Sequence, residues 1–180
     1  MAAMLKESEL QVLSYLTLDP DGAGFVSQIG RDIGMSKGEV SKAVKVLKHD
    51  GLVRTELKGR NMICTIDRRS PIIPKLRVAF NLLEIMPQID GLRGYASKVV
   101  LFGSCAQGTD TRDSDIDLLV IAVDKVKVHQ MINKIRLSRS VQWVIKTPQE
   151  YVILNNKERV FAQELGRGIV LWEVYETAGI

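Results

Sequence analysis

The most constraining feature of the sequence is a polar loop that separates two apolar runs in its second half. The segment Leu101–Leu118 reads LFGSCAQGTDTRDSDIDL. The flanking runs, Lys98–Phe102 and Asp115–Val123, have the lengths and the residue types of buried strands. A strand that ends at a Gly-Ser turn is typical of an α/β unit, in which a new element begins at that point.

Two kinds of polar group lie in this segment. Gly103 allows backbone N–H groups to approach a ligand closely, and the hydroxyl of Ser104 adds a donor, which together suit phosphate oxygens. Asp115 and Asp117 are two residues apart, so in a strand their side chains project from the same face. Two such carboxylates raise each other's pKa unless a cation neutralises them. Mg²⁺, which binds carboxylates together with substrate phosphates, is the cation that we expect.

The order of these features resembles the signature of the DNA polymerase beta-type nucleotidyltransferase superfamily. LFGSCAQGTDTRDSDIDLLV is especially similar to the minimal nucleotidyltransferases, whose usual form is Phe-Gly-Ser-x-Ala-Arg-Gly followed by Ser-Asp-Ile-Asp-Leu. The resemblance implies a nucleotidyltransferase-like domain over residues 95–180, with a mixed sheet flanked by helices. It implies that Gly103 and Ser104 hold the phosphates of a nucleoside triphosphate. It also implies that Asp115 and Asp117 bind Mg²⁺ and are catalytic.

The sequence departs from this family pattern at two positions. Gln107 stands where the family has arginine, so it can donate hydrogen bonds to a nucleotide but adds no positive charge. Arg112, in the same loop, either replaces that arginine or is solvated surface. The strand Ser140–Lys146 carries Gln142 where active members of the superfamily often have a third carboxylate, and glutamine cannot act as a general base. Whether this chain turns over nucleotide therefore stays open.

The first seventy residues predict three helices and a β-hairpin. Ser36 with Glu39 forms the capping-box pattern at the start of the third helix. Lys58-Gly59-Arg60-Asn61 separates the two β-rich runs and gives the hairpin a basic tip. The helices are expected over Ser8–Leu18, Val26–Ile33 and Ser36–His49, and the strands over Leu52–Leu57 and Met62–Ile66.

This arrangement resembles a winged helix-turn-helix domain of the kind found in small prokaryotic transcription regulators, which implies binding to double-stranded DNA. The stretch 36–69 holds nine basic and four acidic side chains, a net charge of +5, whereas the whole chain has +4. A basic helix in the major groove and a basic wing on the phosphates would use this charge. A protein-binding adaptor is the alternative. The expected DNA-binding residues are Ser36, Lys37, Ser41, Lys42, Lys45, Lys58 and Arg60.

A connecting helix is predicted between these two parts. We divide the chain into a winged helix-turn-helix domain (1–70), a connecting helix (71–94) and the nucleotidyltransferase-like domain (95–180). The helix runs from Ile73 to Met86 and is expected to end at Pro87. Its apolar face is expected to carry Leu76, Phe80 and Leu83, sometimes joined by Val78 and Ile85. That face could pack against either domain or pair two copies, and dimers are common among winged-helix regulators.

Composition narrows the class of protein. With 46% hydrophobic and 26% charged residues the chain can bury a core, and no apolar run approaches the roughly 20 residues of a membrane span. We expect a cytoplasmic protein. Two hypotheses follow: a DNA-binding enzyme that transfers a nucleotidyl group, or a transcription regulator whose second domain only senses nucleotide or dimerises. Analogy with the family adds a cognate toxin protein as a conceivable partner.

Overall fold

The computed structural model describes residues 5–19 and 21–174, apart from the side chains at positions 155 and 156. The chain divides into two compact units, Met1–Arg77 and Val78–Ile180. The boundary between them falls inside one helix, α4, which spans Ile72–Ile89. Each unit has its own sheet.

The N-terminal unit is a winged helix-turn-helix fold, as predicted. Its three-stranded sheet is antiparallel with the order β1-β3-β2. The short strand β1, which pairs with β3, was not predicted, because three residues carry too little periodicity to indicate a strand. The elements are α1 (Glu7–Leu18), β1 (Ala23–Phe25), α2 (Val26–Ile33), α3 (Lys37–His49), β2 (Val53–Lys58) and β3 (Asn61–Ile66).

Helix α3 begins where the sequence predicts. Ser36 accepts a hydrogen bond from the Glu39 amide at 3.2 Å, and Glu39 accepts one from the Ser36 amide at 2.9 Å. These bonds satisfy two N–H groups at the helix start and lower the pKa of the Glu39 carboxyl. Val40, Val44 and Leu47 are buried against the rest of the unit, which leaves the lysines of α3 on the solvent side.

Helix α4 corrects two expectations for the connector. Pro87 does not end the helix, which continues to Ile89. Proline removes one helical hydrogen bond, but Ile85 and Ile89 are fully buried, and their burial outweighs that loss in the last turn. The predicted apolar face is correct only in part, since Ile85 is fully buried whereas Leu83 is 73% exposed. The buried positions are Ile73, Arg77, Asn81, Ile85 and Ile89, a stripe with four-residue spacing that includes two polar side chains.

The C-terminal unit has a mixed four-stranded sheet with the order β6-β5-β4-β7, which confirms the predicted fold class. Strand β4 is antiparallel to β5 and β7, and β5 is parallel to β6. After a short 3₁₀ turn (Asp90–Leu92), the elements are β4 (Lys98–Phe102), α5 (Gly103–Gln107), β5 (Ile116–Ile121), α6 (Lys125–Ile132), β6 (Val141–Lys146), α7 (Pro148–Lys157), α8 (Arg159–Gly166) and β7 (Ile169–Glu173).

Helices cover both faces of this sheet. Leu118 and Val120 of β5 pack with α4 and α6 on one face, whereas Leu119 and Ile121 pack with α7 and α8 on the other. On the second face, the rings of Phe102 and Phe161 meet edge to face with centroids 5.4 Å apart. Successive side chains of β5 therefore point to opposite faces of the sheet, so each one contacts only the helices on its own face.

Two helix predictions in this unit were wrong. The apolar pattern after the second buried strand predicts one helix over Val126–Leu137. Helix α6 instead ends at Ile132, because Arg136 donates to the carbonyls of Asn133 and Ile135 and so stabilises a non-helical turn. The apolar residues of Tyr151–Leu154 together with Val160, Phe161 and Leu165 predict one closing helix. The structure has two helices there, α7 and α8, which are separated at Glu158. Among the described residues, no helix is long and apolar enough to cross a membrane.

Candidate functional site

The Gly-Ser turn and the Asp pair meet at one end of the C-terminal sheet. Phe102, the last residue of β4, is the register partner of Asp117 in β5, so Gly103 lies directly beside that aspartate. Gly103 has φ 65°, and a Cβ at this position would collide with the carboxylate of Asp117. Glycine is therefore required here both by its backbone conformation and by the side chain next to it.

The two aspartates have different surroundings. Asp115 is exposed and lies just before β5, where its carboxylate accepts a hydrogen bond from the Ser140 hydroxyl. Asp117 is half-buried within β5, on the face that carries Leu119 and Ile121. The charge of Asp115 acts on Asp117, as the two-residue spacing predicts. The structure thus brings the predicted pair together.

The environment of Asp117 disfavours a negative charge. Burial raises the pKa of its carboxyl, and the charges of Glu164 and Asp115 raise that pKa further. Glu164, on α8, is a nearby carboxylate that sequence reasoning missed. It lies one helical turn after Phe161, whose ring packs on Phe102. No local motif in the sequence indicates this approach.

Gln142 lies where the sequence analysis placed it. It is the register partner of Asp117 on the neighbouring parallel strand β6. Because Val144 is two residues further along this strand, Gln142 lies on the same face of the sheet as Val144. Its side chain is exposed. The position beside Asp117 on β6 is therefore occupied by a neutral amide, which can donate and accept hydrogen bonds but carries no charge.

Glu150, the next carboxylate after Gln142 along the chain, serves another role. It completes a capping box with Thr147 at the start of α7, and both of its oxygens accept from the Lys125 ammonium at 2.9 and 3.0 Å. These contacts lower the pKa of its carboxyl. Asp113, two residues before Asp115, is exposed in the loop before β5.

The remaining predicted nucleotide-binding residues lie around the Gly-Ser turn. Ser104 is half-buried in α5, and Gln107 is exposed at the end of the same helix. Arg112 is exposed in the site loop, which we define as residues 108–115. That loop is anchored at its start, where the amides of Gly108 and Thr109 donate to the Ser104 carbonyl.

The donor set fits a divalent cation that shares its coordination with a ligand. Asp115 and Asp117 supply hard carboxylate oxygens, the type that Mg²⁺ prefers. Among the described residues, no three His, Cys, Asp or Glu side chains group closely enough to hold a metal by themselves. A cation held by this pair would therefore complete its coordination with water and phosphate oxygens, as Mg²⁺ commonly does in nucleotide sites.

The predicted DNA-binding residues lie on α3 and at the tip of the wing. Strands β2 and β3 reach Lys58 and Asn61, so the wing turn is the dipeptide Gly59-Arg60, in which Gly59 has φ 62°. The cationic residues on both elements are exposed, whereas Ser41 is half-buried and Ser36 serves as the N-cap. Those exposed cations are Lys37, Lys42, Lys45, Lys58 and Arg60.

Comparison with protein families places the site segment in a known group. Residues 93–177 match the family model described as Polymerase beta, Nucleotidyltransferase. The C-terminal unit carries a nucleotidyltransferase-family domain. The match includes β4, α5 and β5 with Gly103, Ser104, Asp115 and Asp117. No curated protein matches the chain.

Solved structures resemble parts of the chain. AF1382 from Archaeoglobus fulgidus is 19% identical over 45% of this chain and 92% of its own, with a TM-score of 0.40. The zinc-responsive MarR family member ZitR from Lactococcus lactis is 17% identical over 44% and 55%, with a TM-score of 0.36. A candidate nucleotidyltransferase from Sulfolobus solfataricus is 21% identical over 61% and 90%, with a TM-score of 0.35. With scores below 0.5, none of these likenesses bears on function.

Proposed function

We propose that the C-terminal unit binds a Mg²⁺–nucleoside triphosphate and transfers its nucleotidyl group to an acceptor. The acceptor forms a bond to the α-phosphorus, the bond between the α- and β-phosphates breaks, and pyrophosphate leaves. The observation that carries the proposal is the close approach of Gly103 to Asp117, which brings the phosphate-binding turn against the Asp pair. A family match over the same residues supports it. The acceptor is a protein hydroxyl, an RNA end or a small molecule.

Each side chain has a role in this proposal. The Ser104 hydroxyl and the backbone amides beside Gly103 bind phosphate oxygens, and Gln107 and Arg112 contact the nucleotide from the end of α5 and from the site loop. Asp115 and Asp117 hold Mg²⁺, which neutralises charge on the phosphates when it is bound. Positioning and charge stabilisation supply most of the rate in phosphoryl-type transfer, so the reaction does not depend on a strong base.

A second candidate function rests on Gln142. Because a neutral amide lies beside Asp117 on β6, the unit can bind nucleotide without turning it over. In that case the protein is a DNA-binding transcription regulator in which the second unit senses nucleotide or pairs two copies.

Label transfer distinguishes the two functions. Protein is incubated with nucleoside triphosphates labelled at the α-phosphate and Mg²⁺, in the presence of cell extract as a source of acceptors. We expect transfer by the wild type and at least a 100-fold loss in the Asp115→Ala/Asp117→Ala double variant, since the carboxylates carry the metal. Equal label in both samples would remove the enzyme hypothesis.

A variant that is expected to gain activity makes this experiment more decisive. Gln142→Asp places a third carboxylate beside Asp117, and we expect transfer to rise by roughly 100-fold, the contribution of one general base. Gln142→Asn is the matched control that keeps the amide. A wild type without transfer that binds nucleotide, together with an active Gln142→Asp variant, would identify the sensor.

For the N-terminal unit we propose binding to double-stranded DNA as a homodimer. Exposed cations on both α3 and the wing tip support the DNA-binding part, because the two elements contact the groove and the phosphates in this fold. We propose that the protein is located in the cytoplasm, because both proposed ligands, DNA and nucleoside triphosphates, are found there. A cognate toxin protein remains a candidate acceptor or partner, and it can be sought among neighbouring genes.

A further inference from the structure

A buried polar cluster in the C-terminal unit lies behind the proposed nucleotide site. We define the clamp as Asn81 of α4, Asp110 of the site loop and Arg139, two residues before β6. Arg139 donates to Asp110 at 2.8 Å and to Asn81 at 3.0 Å, and Asn81 donates to Asp110 at 2.9 Å. All three side chains are bonded to one another. The clamp is thus one connected network rather than three separate contacts.

The clamp holds both halves of the site through backbone carbonyls. Asn81 donates to the carbonyl of Cys105, inside α5, at 3.0 Å. Arg139 donates to the carbonyl of Thr111, inside the site loop, at 3.2 Å. The residue after Arg139 is Ser140, which donates to the carboxylate of Asp115. One network therefore fixes α5, which begins with Gly103 and Ser104, and the loop that leads to the Asp pair.

The chemistry of the clamp indicates that it positions neighbouring groups and contributes little to the stability of the fold. The side chain of Asp110 is fully buried and that of Arg139 is 8% exposed, so both charges have lost their hydration. A buried ion pair seldom stabilises a fold more than apolar side chains of similar volume. The Nε atom of Arg139 also has no hydrogen-bond partner among the described residues. A planar guanidinium does, however, fix several partners at set angles, which a lysine cannot do.

We propose that Asn81, Asp110 and Arg139 are positioning residues that hold α5 and the site loop at the spacing required for a Mg²⁺–nucleotide. The proposal rests on the proposed function of the same site. The clamp does not touch the ligand. It acts through the Cys105 and Thr111 carbonyls, so that loosening it separates the phosphate-binding turn from the Asp pair without removing any residue that binds.

The test combines a conservative variant with a matched control in the full chain. Arg139→Lys keeps the charge but can make only some of the hydrogen bonds of the guanidinium. Asn81→Ala removes the bonds to Cys105, Asp110 and Arg139 while keeping the Arg139–Asp110 ion pair. Lys125→Met is the control, because it breaks the exposed ion pair with Glu150 in the same unit. Amide hydrogen exchange is measured without ligand, and calorimetry measures binding of a non-hydrolysable nucleoside triphosphate with Mg²⁺.

We expect local loosening and weaker binding in the clamp variants. Exchange over residues 103–115 should accelerate at least 10-fold in Arg139→Lys and Asn81→Ala, while the amides of β4 and β5 keep the wild-type rates. Nucleotide affinity should fall at least 10-fold in the same variants. In Lys125→Met, neither quantity should change.

Three results would overturn the proposal. Unchanged exchange over residues 103–115 would mean that the clamp fixes nothing there. Faster exchange with wild-type affinity would make the clamp a structural feature only. Uniformly faster exchange across the unit would indicate general destabilisation. If the wild type binds no nucleotide, the proposed function fails, and the exchange pattern alone then decides whether the clamp fixes the loop.

Discussion

At the residue scale, Asp117 lies in an environment that opposes its own ionisation. Burial and the charges of Glu164 and Asp115 raise the pKa of its carboxyl above the ordinary value of 3.8. For an acid with a raised pKa, the favourable contribution to folding is fully present below the unfolded-state pKa. It is lost as the pH rises through the folded-state pKa. The metal-free protein at neutral pH therefore carries a charge that destabilises it.

Asp117→Asn should remove this destabilisation. In the presence of a chelator we expect the variant to unfold at a higher temperature than the wild type at pH 7, by at most about 4 °C, because solvent screens a half-exposed carboxylate. The difference should shrink as the pH falls, because protonation of Asp117 removes the unfavourable charge. Thermal unfolding from pH 4 to 8 measures it. A wild type that is as stable as the variant at every pH would contradict the electrostatic account of this residue.

Individual residues also show which parts of the site can be predicted from the sequence. The two-residue spacing of Asp115 and Asp117 predicts their shared face, because the period of a strand is a local property. Glu164 could not be predicted, since its approach depends on how α8 packs through Phe161. The clamp could not be predicted either, because Arg139 lies 29 residues along the chain from Asp110 and 58 from Asn81. Such pairings have no signature within a short window.

At the element scale, the proposal of DNA binding rests on α3 and the wing. The capping box at Ser36 and Glu39 predicts the start of α3 to the residue, because both groups act within one turn. Helix α4 could be predicted only in part. Its length depends on the burial of Ile89 beyond Pro87, and its inward face includes Arg77 and Asn81, which no apolar pattern selects.

Removing cations from α3 and the wing should weaken binding to duplex DNA. We expect the combined change of Lys42, Lys45, Lys58 and Arg60 to alanine to lower affinity and to flatten its dependence on salt. The slope of log K against log salt should decrease by about 0.9 for each phosphate that the variant no longer neutralises. Fluorescence anisotropy between about 50 and 200 mM salt measures both quantities. Lys134→Ala, an exposed lysine of the C-terminal unit, is the control.

The outcome of that titration also distinguishes the two interpretations of the winged helix. A wild type without any salt-sensitive binding to duplex DNA would favour the protein-binding adaptor. Binding that persists unchanged in the fourfold variant would mean that another surface of the unit contacts the DNA.

At the scale of the whole molecule, two units with different charge share one chain. Residues 36–69 carry a net charge of +5 and the whole chain +4, so the remainder is close to neutral. The positive charge that attracts a polyanion is thus concentrated in the winged helix-turn-helix fold. The carboxylate pair lies in the nucleotidyltransferase-family domain. This division predicts that DNA binding and nucleotide binding can be abolished separately, by changes in different units.

The most direct test of the proposed site is a calorimetric titration of the protein with a non-hydrolysable nucleoside triphosphate, with and without Mg²⁺. We predict Mg²⁺-dependent binding by the wild type and at least a 10-fold weaker affinity for Asp117→Asn, a loss of about 1.4 kcal/mol. Asp113→Asn, an exposed carboxylate in the same loop, should bind like the wild type. Equal affinity in Asp117→Asn, or binding that is unaffected by a chelator, would contradict the claim that Gly103 and the Asp pair form one site.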